Sequence, residues 1–402
     1  MPGTMATESY RVTCHSSIHE LPAAAWDELT GGNIYLSHRW LSVVERDSQP
    51  PPVYLAAWSS DGLLAGGLPV YRLEQAPGNH LSDPASLISD RPGADDWYPA
   101  LLGGTRIGYA SSILVDAGLP ADGQVTACRV LLDALVGYAA DGGFASSSLL
   151  YLNQVGAEQV ARVPQWPLVF SSAEAVLAVT WPSFEDYLAS MSRHWRANVR
   201  ADLRHFSQSR LEFRLVPLSE VVADAAPLAV NVQHKYGHQS SPVRQVRFFG
   251  DVAEQLGDDA LVFGCFDGSR LIGFGLAFQW QDTLYIRSAG FDYDALLRQG
   301  EHFMVMYYEP IRYAIEHNLA WVHFGTESFA AKVQRGCSLR PLWSAGQGST
   351  PPTGEDMRRL EQVSRDRLRG WDEDSGSLLG YLPSQAWARD QAGNSSEPQP
   401  GS

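Results

Sequence analysis

Two stretches of this chain, one in each half, read alike, and no other feature constrains its fold as much. The first is Val53 to Leu73, VYLAAWSSDGLLAGGLPVYRL; the second is Leu261 to Trp280, LVFGCFDGSRLIGFGLAFQW. Each is an apolar run, a turn containing Asp61-Gly62 or Asp267-Gly268, and a second apolar run, which predicts a β-hairpin. After the second hairpin, Gln281-Asp282 turns into a further strand at Thr283 to Gly290, then a helix from about Gly300 to Glu316 and a strand at Ala320 to Phe324. In the first half the matching pieces are a helical stretch at Gly123 to Ala140 and a strand at Ser148 to Leu152. Hairpins feeding a helix and a further strand predict an α/β (α+β) domain with a mixed, mostly antiparallel sheet flanked by helices, present in two copies. The 402-residue length fits two such domains. The expected boundaries are 1–165, 166–345 and a polar tail, 346–402, with one helix at about Gly354 to Arg369 and a disordered end, NSSEPQPGS.

Composition narrows the function class. With 45% hydrophobic and 19% charged residues the chain reads as globular, and no run reaches the roughly 18 to 20 apolar residues of a membrane span. The start, MPGTMATESYRVTC, has neither a basic opening nor an apolar stretch, so a cytoplasmic location is expected. Cys14, Cys128, Cys265 and Cys337 form no CxxC pair, which predicts free, mostly buried thiols and no metal site. A net charge of −15 excludes a surface that grips nucleic acid everywhere, because that contact is made by basic groups on phosphates, but it leaves room for a local basic groove. Of the 30 basic residues only two, Lys235 and Lys332, are lysine, leaving 28 arginines. Where arginine is used almost throughout, a retained lysine points to a need for a compact point charge or for an amine that can lose its proton.

Between the halves, Trp181-Pro182-Ser183 opens a helix. Ser183 and Asp186 have capping-box spacing, and Phe184, Tyr187, Leu188, Met191, Trp195 and Val199 form an apolar stripe. Arg193, Arg196, Arg200 and Arg204 follow at spacings that align them along one side. They are either a solvated face or an anion-binding groove.

The order of these pieces resembles the Fem-like, tandem-domain branch of the GNAT acyltransferase superfamily, the peptidoglycan biosynthesis/recognition type. The likeness runs from about Ile18 to Ser344. It is carried by WDEL at Trp26, LSHRWLSVVE at Leu36, DGLLAGGLPVY at Asp61, WYPALLGG at Trp97, FEDYLASMSRHWRANVRADLRHF at Phe184, DTLYIRSAGF at Asp282, EHFMVMYYEPIRYAIEHNL at Glu301 and KVQRG at Lys332. The resemblance implies a transferase that moves an acyl or aminoacyl group from a carrier to an amine or related nucleophile. Ordinary members of the superfamily hold the pyrophosphate of acyl-CoA on a turn like [RQ]xxGx[GA]. Here that turn reads Arg298-Gln299-Gly300-Glu301-His302, so Arg298 and Gly300 would meet the carrier, while Glu301 sets a carboxylate where a pyrophosphate would approach. Fem-type members draw instead on aminoacyl-tRNA and use a lysine in a loop resembling F-K-x-x-F-G. The run Phe329 to Gly336, which contains Lys332, corresponds to it, with two alanines before the lysine and Cys337 after the glycine. The long coiled-coil insertion of some peptidoglycan enzymes is missing, which makes a small soluble acceptor as fitting as a lipid-linked one.

Transfer from an ester needs a donor aimed at the developing oxyanion and a path for the proton that leaves nitrogen. Lys332 is the candidate for the first task. Glu327 could orient the amine or take its proton, or could serve only as a cap or ion-pair partner. Tyr285 and Arg287 alternate on one strand and are expected on one face, where Arg287 could clamp a carboxylate or phosphate. His302 sits at a helix start that favours neutral imidazole, as a substrate contact or a buried core group. Gln233 to Gln239, with Tyr236 and His238, is expected to be a loop that shapes a binding site. The donor implied is aminoacyl-tRNA, with acyl-CoA as the alternative; no tightly bound cofactor and no metal is expected. The acceptor is the amine or hydroxylamine of a small metabolite or cell-wall precursor. A non-catalytic binding module is the third reading.

Overall fold

The computed structural model describes residues 10–91 and 94–382; the final segment read as disordered lies outside them. The chain forms two compact units: residues up to Glu174 together with those from Leu339 onward, and Ala175–Ser338.

In the first unit, β1 (Arg11–His15) leads through α1 (Ala23–Glu28) and α2 (His38–Asp47) to the hairpin β2 (Val53–Trp58) and β3 (Leu64–Leu73). α3 (Pro84–Ser89), β4 (Ala100–Gly103), β5 (Leu114–Val115), α4 (Ala121–Gly142), β6 (Ser146–Leu152) and α5 (Gln154–Val160) follow. The sheet order β1-β2-β3-β4 is antiparallel throughout, whereas β4 and β6 run parallel. α4 supplies Ala127, Cys128, Leu131, Leu132 and Leu135 to a core shared with Leu55, Leu68, Val70 and Leu149. That burial is the reason for the apolar face read at Gly123 to Ala140.

The chain leaves this unit within β7 (Leu168–Ala178) and continues as α6 (Phe184–Ser190), α7 (Arg193–Gln208), β8 (Leu211–Pro217), α8 (Leu218–Lys235) and α9 (Pro242–Leu256). Then come β9 (Ala260–Asp267), β10 (Arg270–Trp280) and β11 (Thr283–Phe291). α10 (Glu301–Phe303) runs through a π-helical turn, Met304–Tyr308, into α11 (Glu309–Glu316), followed by β12 (Trp321–Gly325) and α12 (Phe329–Val333). Strands β8-β9-β10-β11 are antiparallel, β11 and β12 parallel, and β12 pairs antiparallel with the second half of β7. The two units repeat one order: strand, two helices, three antiparallel strands, helix, parallel strand. They are two copies of one mixed α/β fold, each a mixed, mostly antiparallel sheet flanked by helices.

Three expectations need adjustment. The segment opened by Ser183 is two helices, because Met191 is extended and Ser192 starts a fresh cap, its Oγ accepting Trp195 N–H at 3.4 Å. The terminal helix, α13 (Gly354–Ser375), which follows β13 (Ser338–Gly348), is docked, not a free tail. Its Ser364 Oγ accepts the N–H of Phe170 at 2.9 Å, and Arg367 donates to the Ser86 carbonyl at 2.8 Å. It therefore belongs to the first unit. Gln233 to Lys235 close α8 with a last helical turn, so the loop begins at Tyr236. Among the described residues, no helix is long and apolar enough to cross a membrane, and no cluster of three or more His, Cys, Asp or Glu could hold a metal.

Candidate active site

In the second unit the register of β11 on β12 is Thr283↔Trp321, Leu284↔Val322 and Tyr285↔His323. Beyond Tyr285 the two strands part. At the same point β11 bulges against β10, where the pairing steps from Ala277↔Ile286 to Leu276↔Ser288 and leaves Arg287 as the extra residue. A bulge interrupts the two-residue alternation and re-aims side chains. Spacing alone therefore does not put Tyr285 and Arg287 on one face, contrary to the sequence expectation.

The side chains at the end of the parallel pair form a connected set. The Tyr285 ring stacks on His323 at 5.3 Å, and His323 Nδ1 accepts the N–H of Gly325 at 3.1 Å. The carbonyl of Gly325 in turn accepts from Lys332 Nζ at 3.3 Å, and that of Thr326 does so at 2.8 Å. Lys332 is thus buried on the short helix α12 with two of its three N–H donors on backbone carbonyls. Burial pushes its pKa down to about 8, against the opposing pull of Cys337 and Glu327. The loop it ties is strained. Glu327 and Ser328 are left-handed, with φ of 70° and 48°, a conformation that costs roughly 1 to 3 kcal/mol per residue and collects at functional sites. Glu327 itself is exposed, and its proximity to Lys332 is electrostatic.

A second buried cation is Arg335, which the sequence pattern does not single out. Its guanidinium lies over Phe303 at 4.4 Å and Tyr307 at 4.5 Å, and it donates to the Ala331 carbonyl at 2.7 Å. Tyr187 Oη donates to the Arg335 carbonyl at 3.1 Å. The arginine therefore pins α12 to α6 and to the π-helical turn. What signal there is lies in an arginine three residues after Lys332, and in the aromatic-rich run Phe303 to Tyr308.

The turn ahead of α10 holds Arg298 and Gly300 in left-handed conformation. Glu301, 3% exposed, folds back into it, with Oε1 accepting Leu297 N–H at 2.6 Å and Oε2 accepting Gln299 N–H at 2.7 Å. Arg298 is exposed. His302 keeps part of its surface in water although its ring lies 5.4 Å from Phe291 and from Phe303. Desolvation by those rings, with the Arg335 and Lys235 cations, lowers its pKa below the ordinary histidine range. It is not the fully buried core histidine of the alternative reading. Tyr236 and His238 are both exposed, and no contact joins them to Lys332.

The arginine stripe divides. Arg196 donates to the Ala189 and Met191 carbonyls at 3.0 and 3.4 Å, closing the end of α6. Arg200 pairs with Glu185 at 3.0 Å. Arg193 and Arg204 are exposed on α7.

At one point of this mixed α/β fold the structure therefore brings together a splayed parallel pair, a bulged strand and a buried lysine. Residues 17–360 match the FemAB-like family, described as peptidoglycan biosynthesis/recognition, and the chain belongs to it. Among solved structures it is similar to FemX (TM-score 0.55, 11% identity, covering 84% of this chain and 96% of that one). It is also similar to the C-terminal DUF2156 domain of a putative lysylphosphatidylglycerol synthetase from Agrobacterium fabrum (TM-score 0.52, 10% identity, 88% and 98% covered). A third is a conserved protein of unknown function from Bacteroides thetaiotaomicron (TM-score 0.51, 11% identity, 84% and 99% covered). No curated protein matches the sequence.

Proposed function

We propose that the protein is an aminoacyltransferase whose second unit moves an aminoacyl group from aminoacyl-tRNA to the amine or hydroxylamine of a small metabolite or cell-wall precursor. Family membership supports a transferase. The observation that carries the finer reading is Lys332: a buried ammonium, two of whose N–H donors are spent on Gly325 and Thr326, keeps one for a substrate oxygen. In the reaction the acceptor nitrogen attacks the ester carbonyl carbon, and the negative charge gathers on the carbonyl oxygen. The bond to the ribose oxygen then breaks, and the proton lost by nitrogen ends on that oxygen. Lys332 stabilises the oxyanion; the exposed Glu327 carboxylate, at the mouth of the same loop, receives and relays the proton. Tyr285 and Arg287 border the acceptor, with Tyr236, His238 and His302 further out. The exposed Arg193 and Arg204 of α7 meet the carrier phosphates. Charged tRNA as donor places the reaction in the cytoplasm.

The purified protein is to be incubated with charged tRNA or acetyl-CoA and a panel of amines. Transfer from charged tRNA alone is expected. Transfer from acetyl-CoA would replace the donor, and saturable amine binding with transfer from neither carrier would make the chain a binding module.

A further inference from the structure

The left-handed residues Arg298 and Gly300 shape a turn whose backbone N–H groups converge, a concavity of the kind that holds phosphates. The chain fills this concavity itself. Both oxygens of Glu301 are engaged there by the amides of Leu297 and Gln299, in charge-assisted bonds that offset the cost of burying the carboxylate. The outer side is covered as well. A Cβ added to Gly300 would stand 3.2 Å from the Cβ of Asp202 on α7, and Tyr308 Oη fixes the Asp202 carboxylate by donating to Oδ2 at 2.7 Å. A pyrophosphate arriving at this turn would find the Leu297 and Gln299 amides taken by the Glu301 carboxylate, with Asp202 packed beside Gly300.

We propose that Glu301 is a specificity-determining residue: a built-in anion that closes the turn to the pyrophosphate of acyl-CoA and so confines the second unit to a carrier whose phosphates bind elsewhere. The inference rests on reading this unit as a transferase with a phosphate-bearing carrier, but its test needs no turnover, so the two can fail separately. Calorimetric titration with coenzyme A and with inorganic pyrophosphate is to be run on the wild type, Glu301→Ala and Glu301→Gln. The wild type is expected to bind neither probe saturably at millimolar concentration. Glu301→Ala is expected to bind pyrophosphate at least about tenfold more tightly than the wild type, with Glu301→Gln in between because its amide oxygen still occupies one N–H. Coenzyme A binding by the wild type, or no gain in Glu301→Ala, would overturn the proposal. Should Glu301→Ala fail to fold, melting of Glu301→Gln decides: pyrophosphate raising its Tm and not that of the wild type supports a closed turn. Equal shifts in the two proteins, or no shift in either, overturn it.

Discussion

The two units share one order of strands and differ at the end of the parallel pair. In the first, β4 and β6 run together through Gly103↔Leu149, and the pairing resumes at Ser111, whose N–H reaches the Tyr151 carbonyl at 2.8 Å while its carbonyl accepts Asn153 N–H at 2.9 Å. The strand then passes into α5 under an ordinary cap, Asn153 Oδ1 accepting Gly156 N–H at 2.9 Å. In the second, the pairing stops at Tyr285↔His323. The loop beyond it is left-handed at Gly325, Glu327 and Ser328, and a buried lysine ties it. One copy of the fold has zipped its notch; the other holds its notch apart. Under the function proposed above, the chemistry belongs to the second unit and a structural, acceptor-shaping part to the first.

The largest expected effect separates the two loops. Lys332→Met should lower kcat by about 10² to 10³, the loss of roughly 3 kcal/mol that follows removal of one oxyanion donor, with donor affinity nearly unchanged. Lys332→Arg should rescue only part, because the broad guanidinium does not fit where the ammonium sat. Steady-state kinetics with separate donor titrations check both.

The pH dependence sharpens the same contrast. With the folded pKa of Lys332 at about 8 and an ordinary value of 10.5, kcat should fall as pH rises through about 8, and Lys332→Arg should lose that limb. Stability moves oppositely. Between 8 and 10.5 the unfolded chain binds the extra proton, so the penalty of the buried charge, full below 8, fades as pH rises. Urea unfolding across this window should show the rise in the wild type and none in Lys332→Met.

A smaller effect belongs to α7. Arg193→Ala with Arg204→Ala should flatten the salt dependence of tRNA binding by about 0.7 to 0.9 in log–log slope for each phosphate contact removed. An unchanged slope returns the stripe to a solvated face. Smallest is the first-unit counterpart: Asn153→Ala should cost about 1 kcal/mol of stability through the lost cap, with kcat unchanged.

Much of the frame was legible because turn chemistry is local. Asp61-Gly62 and Asp267-Gly268 marked both hairpins, and the apolar faces of α4 and α11 marked the helices after them. The lysine was legible for a different reason, its rarity. What escaped depends on contacts distant in sequence or on single backbone angles. An extra residue at Arg287 leaves the pattern Tyr285-Ile286-Arg287 unchanged on paper, so the bulge was invisible. Ser183 and Ser192 both suit a helix start, and only the extended Met191 shows that both are used. In the sequence Glu301 stands only as a charge in the path of a pyrophosphate. Its inward fold follows from the left-handed Arg298 and Gly300, which spacing does not encode. Arg335 gains its role from rings on another helix.

The most direct test of the comparison is a crystal structure with an amide-linked aminoacyl-adenosine, in which a stable amide replaces the reactive ester. The expected result has its carbonyl oxygen within hydrogen-bond reach of Lys332 Nζ, beside the splayed ends of β11 and β12. The same ligand seated in the first unit against Gly103 and Ser111, with Lys332 untouched, would contradict the assignment of chemistry to the second unit.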